Sequence, residues 1–545
     1  MPSALELLRE GRNEELWQKC CGFIDLSMEE FMGIQRRLLL EQIDLLNNCE
    51  LGKKVMRGAK PRSVEQFREQ VPITTYADYS PYLCEQIEDA LPEKPMFWLR
   101  TSGRSEGQAF KWIPATRRQY EELGEAFLAV LIFASCKGRG DIVLEEHDKL
   151  LYAMAPPPYV SGSWSRRAAE EKIFDFIPPL EEAEKMEFEE RLVQGFRLAL
   201  AEGMDMLFAI AGVLVVIGEQ LGQGWDLRRI LPMWNKPRLI LRILKAMGKS
   251  KLARRSMLPK DIWSLKLLVA GGTDSTVYRE KIKNMWGRYP LDVYGSTEGV
   301  MLAMQTWDYE SMTFIPHINF LEFVPREEYL KWEIDPTYKP DVFMLDEVIP
   351  GETYGVVITN FYGGALVRYF TGDMVRITSL RNEKLNIDTP QMLFDSRVDG
   401  VIDIEGCVHM TEGTMWQAIE NSGLQYQDWV VKQEEGKKPR IHFYIELKGG
   451  AEIDTGQAAI AIRKQMGQLD PFYCVLEDMR DLEVEVSLLP CGAFTAYISK
   501  QRAAGADLAH LKPRHVNPSD DIVDFLSNPF PPSAVEEGSA ELVRT

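Results

Sequence analysis

The chain has 545 residues, 45% of them hydrophobic and 10% aromatic, with a formal net charge of -19. That length exceeds the size at which one hydrophobic core stops growing, and that apolar content excludes global disorder, so two or more packed units are expected. The negative balance repels nucleic-acid phosphates and anionic membrane surfaces, which disfavours a nucleic-acid role and requires any nucleotide to be held by a local site.

The eight cysteines are scattered, with no C-x-x-C pair and no histidine at ligand spacing, so reduced thiols in a cytoplasmic protein are expected rather than a disulfide framework or a zinc site. The N-terminal segment MPSALELLREGRNEE carries charges where a signal peptide needs an apolar core. The apolar run Met206–Gly218 is too short to cross a bilayer and reads as buried core, so no membrane insertion is expected.

In chain order, residues 1–70 read as helical, with apolar residues at mixed three and four spacing in FMGIQRRLLLEQIDLLNN, ending in the basic loop KKVMRGAKPRS. From Pro95 the segment MFWLRTSGRSEG reads as a strand running into a polar, glycine-bearing loop, followed by a helix over Thr116–Ser135. A second strand–helix unit follows: the strand at Leu265–Gly272, the amphipathic stretch Val277–Gly287, then the strand Leu291–Tyr294. Strands alternating with helices imply an α/β fold with a parallel, doubly wound sheet, whose ligands sit at strand C-terminal ends. HINFLEFVP, YGVVITNFYGGALVRYF and DMVRITSL then suggest a β-rich subdomain, and beyond Arg397 short strands and helices alternate as in a small α+β module. The expected organisation is a large N-terminal domain over 1–396, a small mobile C-terminal domain over 397–530 and a flexible tail over 531–545.

Four segments carry chemistry. Thr101-Ser102-Gly103-Arg104-Ser105-Glu106-Gly107, followed by Lys111, offers hydroxyls, glycines for close backbone approach and nearby cations, as a polyphosphate requires. It lacks the Gly-Lys-Ser/Thr ending of a Walker loop, and taken alone it is equally a polar surface turn. Tyr294-Gly295-Ser296-Thr297-Glu298-Gly299 places an aromatic face for an adenine beside a hydroxyl and a carboxylate that suits Mg²⁺, or else simply ends a strand in a tight turn. Arg368-Tyr369-Phe370-Thr371-Gly372-Asp373 ends on a carboxylate able to accept from both ribose hydroxyls. Ser396-Arg397-Val398-Asp399-Gly400 falls at the domain junction, where Arg397 suits ribose or phosphate and Asp399-Gly400 suits a hinge; an ordinary Asp-Gly turn is the alternative.

In this order the four segments resemble the phosphate loop, the YGxTE segment, the Y-x-x-G-D segment and the hinge of the acyl-adenylate-forming superfamily, which includes acyl-CoA ligases and nonribosomal peptide adenylation domains. A closer resemblance is to the plant auxin-responsive Gretchen Hagen family of acyl acid amido synthetases and its bacterial relatives. VPITTYADYSPYL, ALVRYFTGD, and Gly492-Ala493-Phe494 leading to Gly505-Ala506 and Leu511-Lys512-Pro513-Arg514 carry it, over about residues 70–515.

The resemblance implies ATP and Mg²⁺ as cofactors, with Thr101, Ser102, Gly103, Ser105 and Gly107 in the phosphate loop. It implies that Tyr294, Ser296 and Thr297 bind nucleotide, that Glu298 holds the metal, that Asp373 holds the ribose with Arg397 nearby, and that Asp399 is the hinge. Lys512 resembles the C-terminal lysine that approaches the α-phosphate. The chain departs from the pattern at Lys-Pro-Arg, where the plant segment has one more residue between Lys and Pro, and at Arg104 and Glu106, which replace small loop residues. The implied reaction activates a carboxylic acid as acyl-AMP and transfers the acyl group to an amine, an amino acid by the closer resemblance, or to coenzyme A as the wider superfamily permits. A non-catalytic relative would be expected to have lost Glu298, Asp373 or Lys512, and all three are present.

Overall fold

Ser27 and Glu30 close a capping box that starts the longest helix, Met28–Asn48. Phe31, Met32, Leu38, Leu39, Ile43 and Leu46 fall on its buried face, together with the amides of Gln35 and Gln42. Both amides are spent on distant backbone: Gln35 donates to the carbonyls of Pro316 and Asn319 and accepts from Leu321 N–H, while Gln42 donates to Gly364 O and accepts from Gly363 N–H. The helical N-terminal segment thus braces loops that lie far along the chain. The basic stretch expected as loop begins as helix, because Lys53 and Lys54 occupy the last turn of Glu50–Val55, where cations complement the helix dipole.

The computed structural model describes residues 2–529 other than 102–110, 171–173, 187, 223–236, 272–274, 405–407, 435–439, 451–452, 470–481 and 504–512. The chain divides into two compact units, Met1–Asp395 and Ser396–Thr545.

Unit 1 contains strands β1 (Phe97–Arg100), β2 (Trp112–Ala115), β3 (Lys149–Tyr152), β4 (Asp175–Ile177), β5 (Met206–Ile210), β6 (Leu267–Gly271) and β7 (Leu291–Tyr294). It continues with β8 (Ala303–Gln305), β9 (Met312–Phe314), β10 (Asn319–Pro325), β11 (Phe343–Met344), β12 (Thr353–Asn360), β13 (Tyr369–Ser379) and β14 (Gln391–Arg397), the last of which runs into unit 2. Twelve of these strands form one sheet of order β11-β10-β12-β13-β14-β9-β8-β7-β6-β5-β3-β4. From β4 to β7 the neighbours are parallel, as the alternation of strands and helices predicts; β7 to β8 is the first antiparallel step.

The expected β-rich part is joined edge to edge to the parallel sheet through the pairing of β7 with β8. The apolar run from Met206 is buried, but it is a strand, β5, followed by the helix Ala211–Gly222. After Pro95 the expected strand, β1, and the expected helix, Arg117–Ser135 capped by Thr116, are both present. The addition is β2, which pairs antiparallel with β1, Leu99 opposite Ile113, before the helix begins. The helix cannot start earlier because Trp112–Ala115 is taken up in pairing, and Thr116 with Gln119 forms the capping box.

Unit 2 begins with the hairpin of β15 (Val401–Ile404) and β16 (Val408–Thr411). A three-stranded sheet follows, β17 (Tyr426–Glu434), β18 (Arg440–Leu447) and β19 (Glu483–Leu489), in that order, antiparallel then parallel. Helices Glu412–Asn421, Thr455–Leu469, Ala493–Ala503 and Asp520–Ser527 complete a small α+β unit. The proline-bearing end, 530–545, lies outside the described residues.

One ion pair in unit 1 is fully enclosed. Arg368 donates through Nε and Nη2 to both oxygens of Glu322, each at 2.9 Å, with the two side chains 5% and 1% exposed. Its Nη1 is held by the carbonyls of Arg68 and Val71 at 2.8 and 2.6 Å. Removing one partner of such a pair strands a buried charge, whereas removing both removes the desolvation cost as well. Arg368→Leu is therefore expected to cost about 3–5 kcal/mol in chemical denaturation, and Arg368→Leu with Glu322→Leu to recover most of it.

Candidate functional site

Strand β13 is not regular where it carries the candidate ribose carboxylate. Opposite β12 the register runs Ile358↔Tyr369 and Val357↔Phe370, then resumes at Gly355↔Met374, so that Thr371, Gly372 and Asp373 face Val356 alone. Such a bulge re-aims a side chain. Gly372 takes φ 78°, the left-handed region that glycine enters without penalty, and Thr371 pins the bulge by donating from Oγ1 to Val356 O at 3.0 Å and accepting from Asp373 N–H at 3.1 Å.

The re-aimed carboxylate meets Tyr294 at the C-terminal end of β7, whose hydroxyl donates to Asp373 Oδ2 at 3.0 Å. In sheet order β8, β9 and β14 lie between these two strands. Four ladder steps of about 4.8 Å would hold them about 19 Å apart in a flat sheet, so the sheet must curl here. Phe394 of β14 packs against the Tyr294 ring, with centroids 5.8 Å apart. Asp373 and Tyr294 are 4% and 5% exposed.

The loop leaving β7 is closed twice. Leu302 N–H donates to Tyr294 O at 2.9 Å and Val300 N–H to Ser296 O at 2.8 Å, while Ser296 Oγ accepts from Gly299 N–H at 3.0 Å. The closure crowds Gly295, where a Cβ would stand 2.4 Å from Val300 O. It also forces Val300, a β-branched residue, to φ 62°. Asn360 and Asn319 hold the loop from the sheet, Asn360 donating to Glu298 O at 3.0 Å and Asn319 to Gly299 O at 2.7 Å. Gln35 of the long helix in turn grips Asn319 O at 2.7 Å.

Glu298 is thereby presented to a cation. Its Oε1 lies 3.4 Å from Lys111 Nζ, both side chains being less than one-sixth exposed at 12% and 15%. Lys111 also donates to the Tyr369 hydroxyl at 3.0 Å and lies over the Tyr76 ring at 5.5 Å. Tyr369 OH is 3.5 Å from Glu298 Oε1. Burial pushes the Tyr76 phenol above its ordinary value, so it stays neutral beside the carboxylate.

Of the residues singled out by sequence, the structure brings together Tyr294 with Asp373, and Glu298 with Lys111. Ser296 serves the loop backbone. Thr297 is half-buried in the turn. Thr101 is buried at the end of β1, where its N–H donates to Lys111 O and its Oγ1 accepts from Lys111 N–H, both at 3.0 Å. Ser102, Gly103, Ser105, Gly107 and Lys512 lie outside the described residues. Arg397, at the end of β14, is exposed; Asp399 lies in the single turn Val398–Gly400 that follows, and both belong to unit 2. Tyr76 and Tyr369 are the residues that sequence reasoning missed. Both stand inside segments already quoted, VPITTYADYS and RYFTGD.

Comparison with known proteins gives the same frame. The GH3 family N-terminal domain matches residues 20–155 and the GH3 family central domain residues 312–397. A jasmonoyl–L-amino acid synthetase, GH3.5 of Oryza sativa subsp. japonica, is 28% identical over 272 residues, 46% of this chain and 45% of the relative. A 4-substituted benzoates–glutamate ligase, GH3.12 of Arabidopsis thaliana, is 30% identical over 157 residues, 27% of this chain and 24% of the relative. These alignments span less than half the length of the curated relatives. Among solved structures, the AtGH3.15 acyl acid amido synthetase bound to 2,4-DB superposes with TM-score 0.66 at 18% identity, covering 93% of this chain and 95% of that one. A 2-hydroxyisobutyryl-CoA ligase from the postadenylation state gives TM-score 0.53 at 14% identity, with 96% and 92% covered. These two likenesses are of fold. With both domain types present in order, and with the bulged Asp373 strand inside the second of them, the chain carries the N-terminal and central domains of the GH3 family.

Proposed function

We propose that this protein uses ATP to activate a carboxylic acid as acyl-AMP and then transfers the acyl group to the amine of an amino acid, forming an amide in the cytoplasm. The observation that carries this reading is a pair of contacts, one on each side of the turn leaving β7: a buried acceptor carboxylate in the β13 bulge held by the Tyr294 hydroxyl, and Lys111 held by the carboxylate of Glu298. The first suits a ribose diol beside an aromatic face. The second suits a polyphosphate. The two curated relatives join an acyl acid to an amino acid, jasmonoyl to L-amino acids in one and 4-substituted benzoates to glutamate in the other.

Acyl-AMP formation is an in-line attack of the substrate carboxylate oxygen on the α-phosphorus, with the bond to the pyrophosphate oxygen breaking. No protein nucleophile is required, so the protein contributes positioning and charge stabilisation. Asp373 accepts the ribose hydroxyls, with Tyr294 fixing the carboxylate and flanking the base. Thr101 and the loop after it, with Lys111, hold the β- and γ-phosphates, and Lys512 neutralises charge that develops at the α-phosphate. Arg397 assists at ribose or phosphate, and Asp399 is the hinge residue.

Glu298, oriented toward a cation at the end of a parallel strand, fits Mg²⁺, which takes few protein oxygens and completes its shell with phosphate oxygens and water. When bound, the ion supplies neutralisation of phosphate charge. In the second half-reaction the amine nitrogen attacks the acyl carbonyl, AMP leaves and the nitrogen gives up a proton.

Asp373→Ala should raise the KM for ATP in acid-dependent pyrophosphate exchange by roughly 10²-fold or more, since hydrogen bonds to a charged group contribute about 1.5–3 kcal/mol each. The melting temperature should move by only a few degrees; near-normal exchange in the folded variant removes the ribose assignment. Glu298→Gln keeps the shape and loses the charge, so the Mg²⁺ concentration for half-maximal exchange should rise roughly tenfold, and an unchanged metal titration makes Glu298 structural. For the acceptor, single-turnover consumption of supplied acyl-AMP should be faster with an amino acid than with coenzyme A. The reverse order makes the protein an acyl-CoA ligase and leaves the adenylation reading intact.

A further inference from the structure

His515 stands three residues beyond Lys512 and is 5% exposed. Its Nδ1 lies 2.5 Å from Glu412 Oε1 and its Nε2 3.0 Å from Asp428 Oδ1, so the ring bridges the first turn of the helix Glu412–Asn421 and strand β17. The imidazole stacks on Trp429, 4.7 Å between centroids at 12°, and meets Trp416 edge-on at 5.0 Å. Its backbone is held as well. Val431 N–H donates to His515 O at 2.7 Å and Asn517 N–H to Val431 O at 2.8 Å, the parallel bridge of Val431 with Val516.

Glu412 reaches a second place. A Cβ built at Gly400 would stand 3.9 Å from its Oε2, so the carboxylate that holds His515 also abuts the Asp399-Gly400 turn. All of these residues belong to unit 2.

We propose that His515 is a positioning residue that clamps the chain immediately after Lys512, residues 513–517, to the end of the C-terminal unit where the hinge turn lies. Resting on the reading of Lys512 given above, the clamp fixes the point from which the lysine extends, so that its loss is felt when Lys512 is in use, during acyl-AMP formation. Among the described residues, the two carboxylates are the charged groups that act on the ring, and the two tryptophans pack on its faces and edge. Both ring nitrogens face carboxylate oxygens, which only accept, so the bridge requires the doubly protonated ring.

Burial alone would lower the imidazole's pKa, but the hydrogen bonds and charges of Asp428 and Glu412 outweigh it and hold it up at about 9. Because the folded value is raised, the clamp's contribution is fully present below the ordinary histidine range and is lost as pH rises through about 9.

The test uses the full chain and His515→Gln, which keeps hydrogen-bonding atoms but cannot carry the charge. Amide exchange at Val431 and over residues 514–517 should accelerate at least ~10-fold while the helix Thr455–Leu469 keeps its protection. The turnover of pyrophosphate exchange should fall about tenfold with KM for ATP within about twofold, while consumption of supplied acyl-AMP by an amine stays within about twofold. In the wild type the first half-reaction alone should fall above about pH 9; in Glu412→Gln, the second variant should His515→Gln not fold, that falling limb should move to lower pH. Unchanged amide exchange, protection lost across the whole unit, or equal losses in both half-reactions overturns the proposal. A wild type without pyrophosphate exchange sinks the enzymatic reading instead, and the amide-exchange arm still decides the clamp.

Discussion

The hydrogen bond from Tyr294 to Asp373 joins two strands that are four ladder steps apart in the sheet. For that bond to form, the sheet must curl where it changes from parallel to antiparallel, the strand carrying Asp373 must bulge, and the loop after Tyr294 must fold tightly back on itself. Each demand has a visible cost. Gly372 is committed to a positive φ, Val300 adopts a backbone conformation that a β-branched side chain disfavours, and Gly295 has no room for a side chain. Local strain of this kind, of order 1–3 kcal/mol per residue, persists only where the surroundings over-determine it. Here the surroundings are Asn319, Asn360 and Gln35, whose amides are buried and spent on backbone.

That dependence explains which features were legible in the sequence. Gly295 and Gly372 stand inside apolar strand patterns, where glycine marks a bulge or a close approach, and the hydroxyl and carboxylate beside each give the site its chemistry. Leu267–Gly271 followed by Ser275–Trp286 and Leu291–Tyr294 reads plainly as a strand–helix–strand unit because period and punctuation agree. The antiparallel β1–β2 sheet was not legible: FWLR and KWIPA are each too short to show a period, and nothing local says whether the chain returns antiparallel or enters a helix. Nor did the sequence reveal that the β-rich segments extend the parallel sheet. Whether a strand joins an existing edge or starts a new layer depends on non-local pairing, which a one-dimensional pattern does not encode. Tyr76 and Tyr369 escaped for the same reason, since their partner Lys111 is distant in sequence from at least one of them.

The electrostatics follow a similar logic on a larger scale. A chain of net charge -19 offers polyanions no general attraction, so cationic character has to be concentrated and protected. Lys111 is kept in place by Glu298 and two tyrosines. Arg368, by contrast, is consumed entirely inside the protein, by Glu322 and two carbonyls, although it stands next to the site in sequence. Proximity along the chain is a poor guide to which cation serves a ligand.

The closure between Thr101 and Lys111 has an evolutionary consequence. The residues on either side of the loop are bonded to each other through backbone and hydroxyl, and β1 and β2 pair in register behind them, so the closure is built from residues outside the loop itself. A lineage that lengthens the loop between these two anchors meets a closure entropy that grows only slowly with length. The closure is thus a socket fixed by its own pairing, against which sequence between the anchors can drift or be selected.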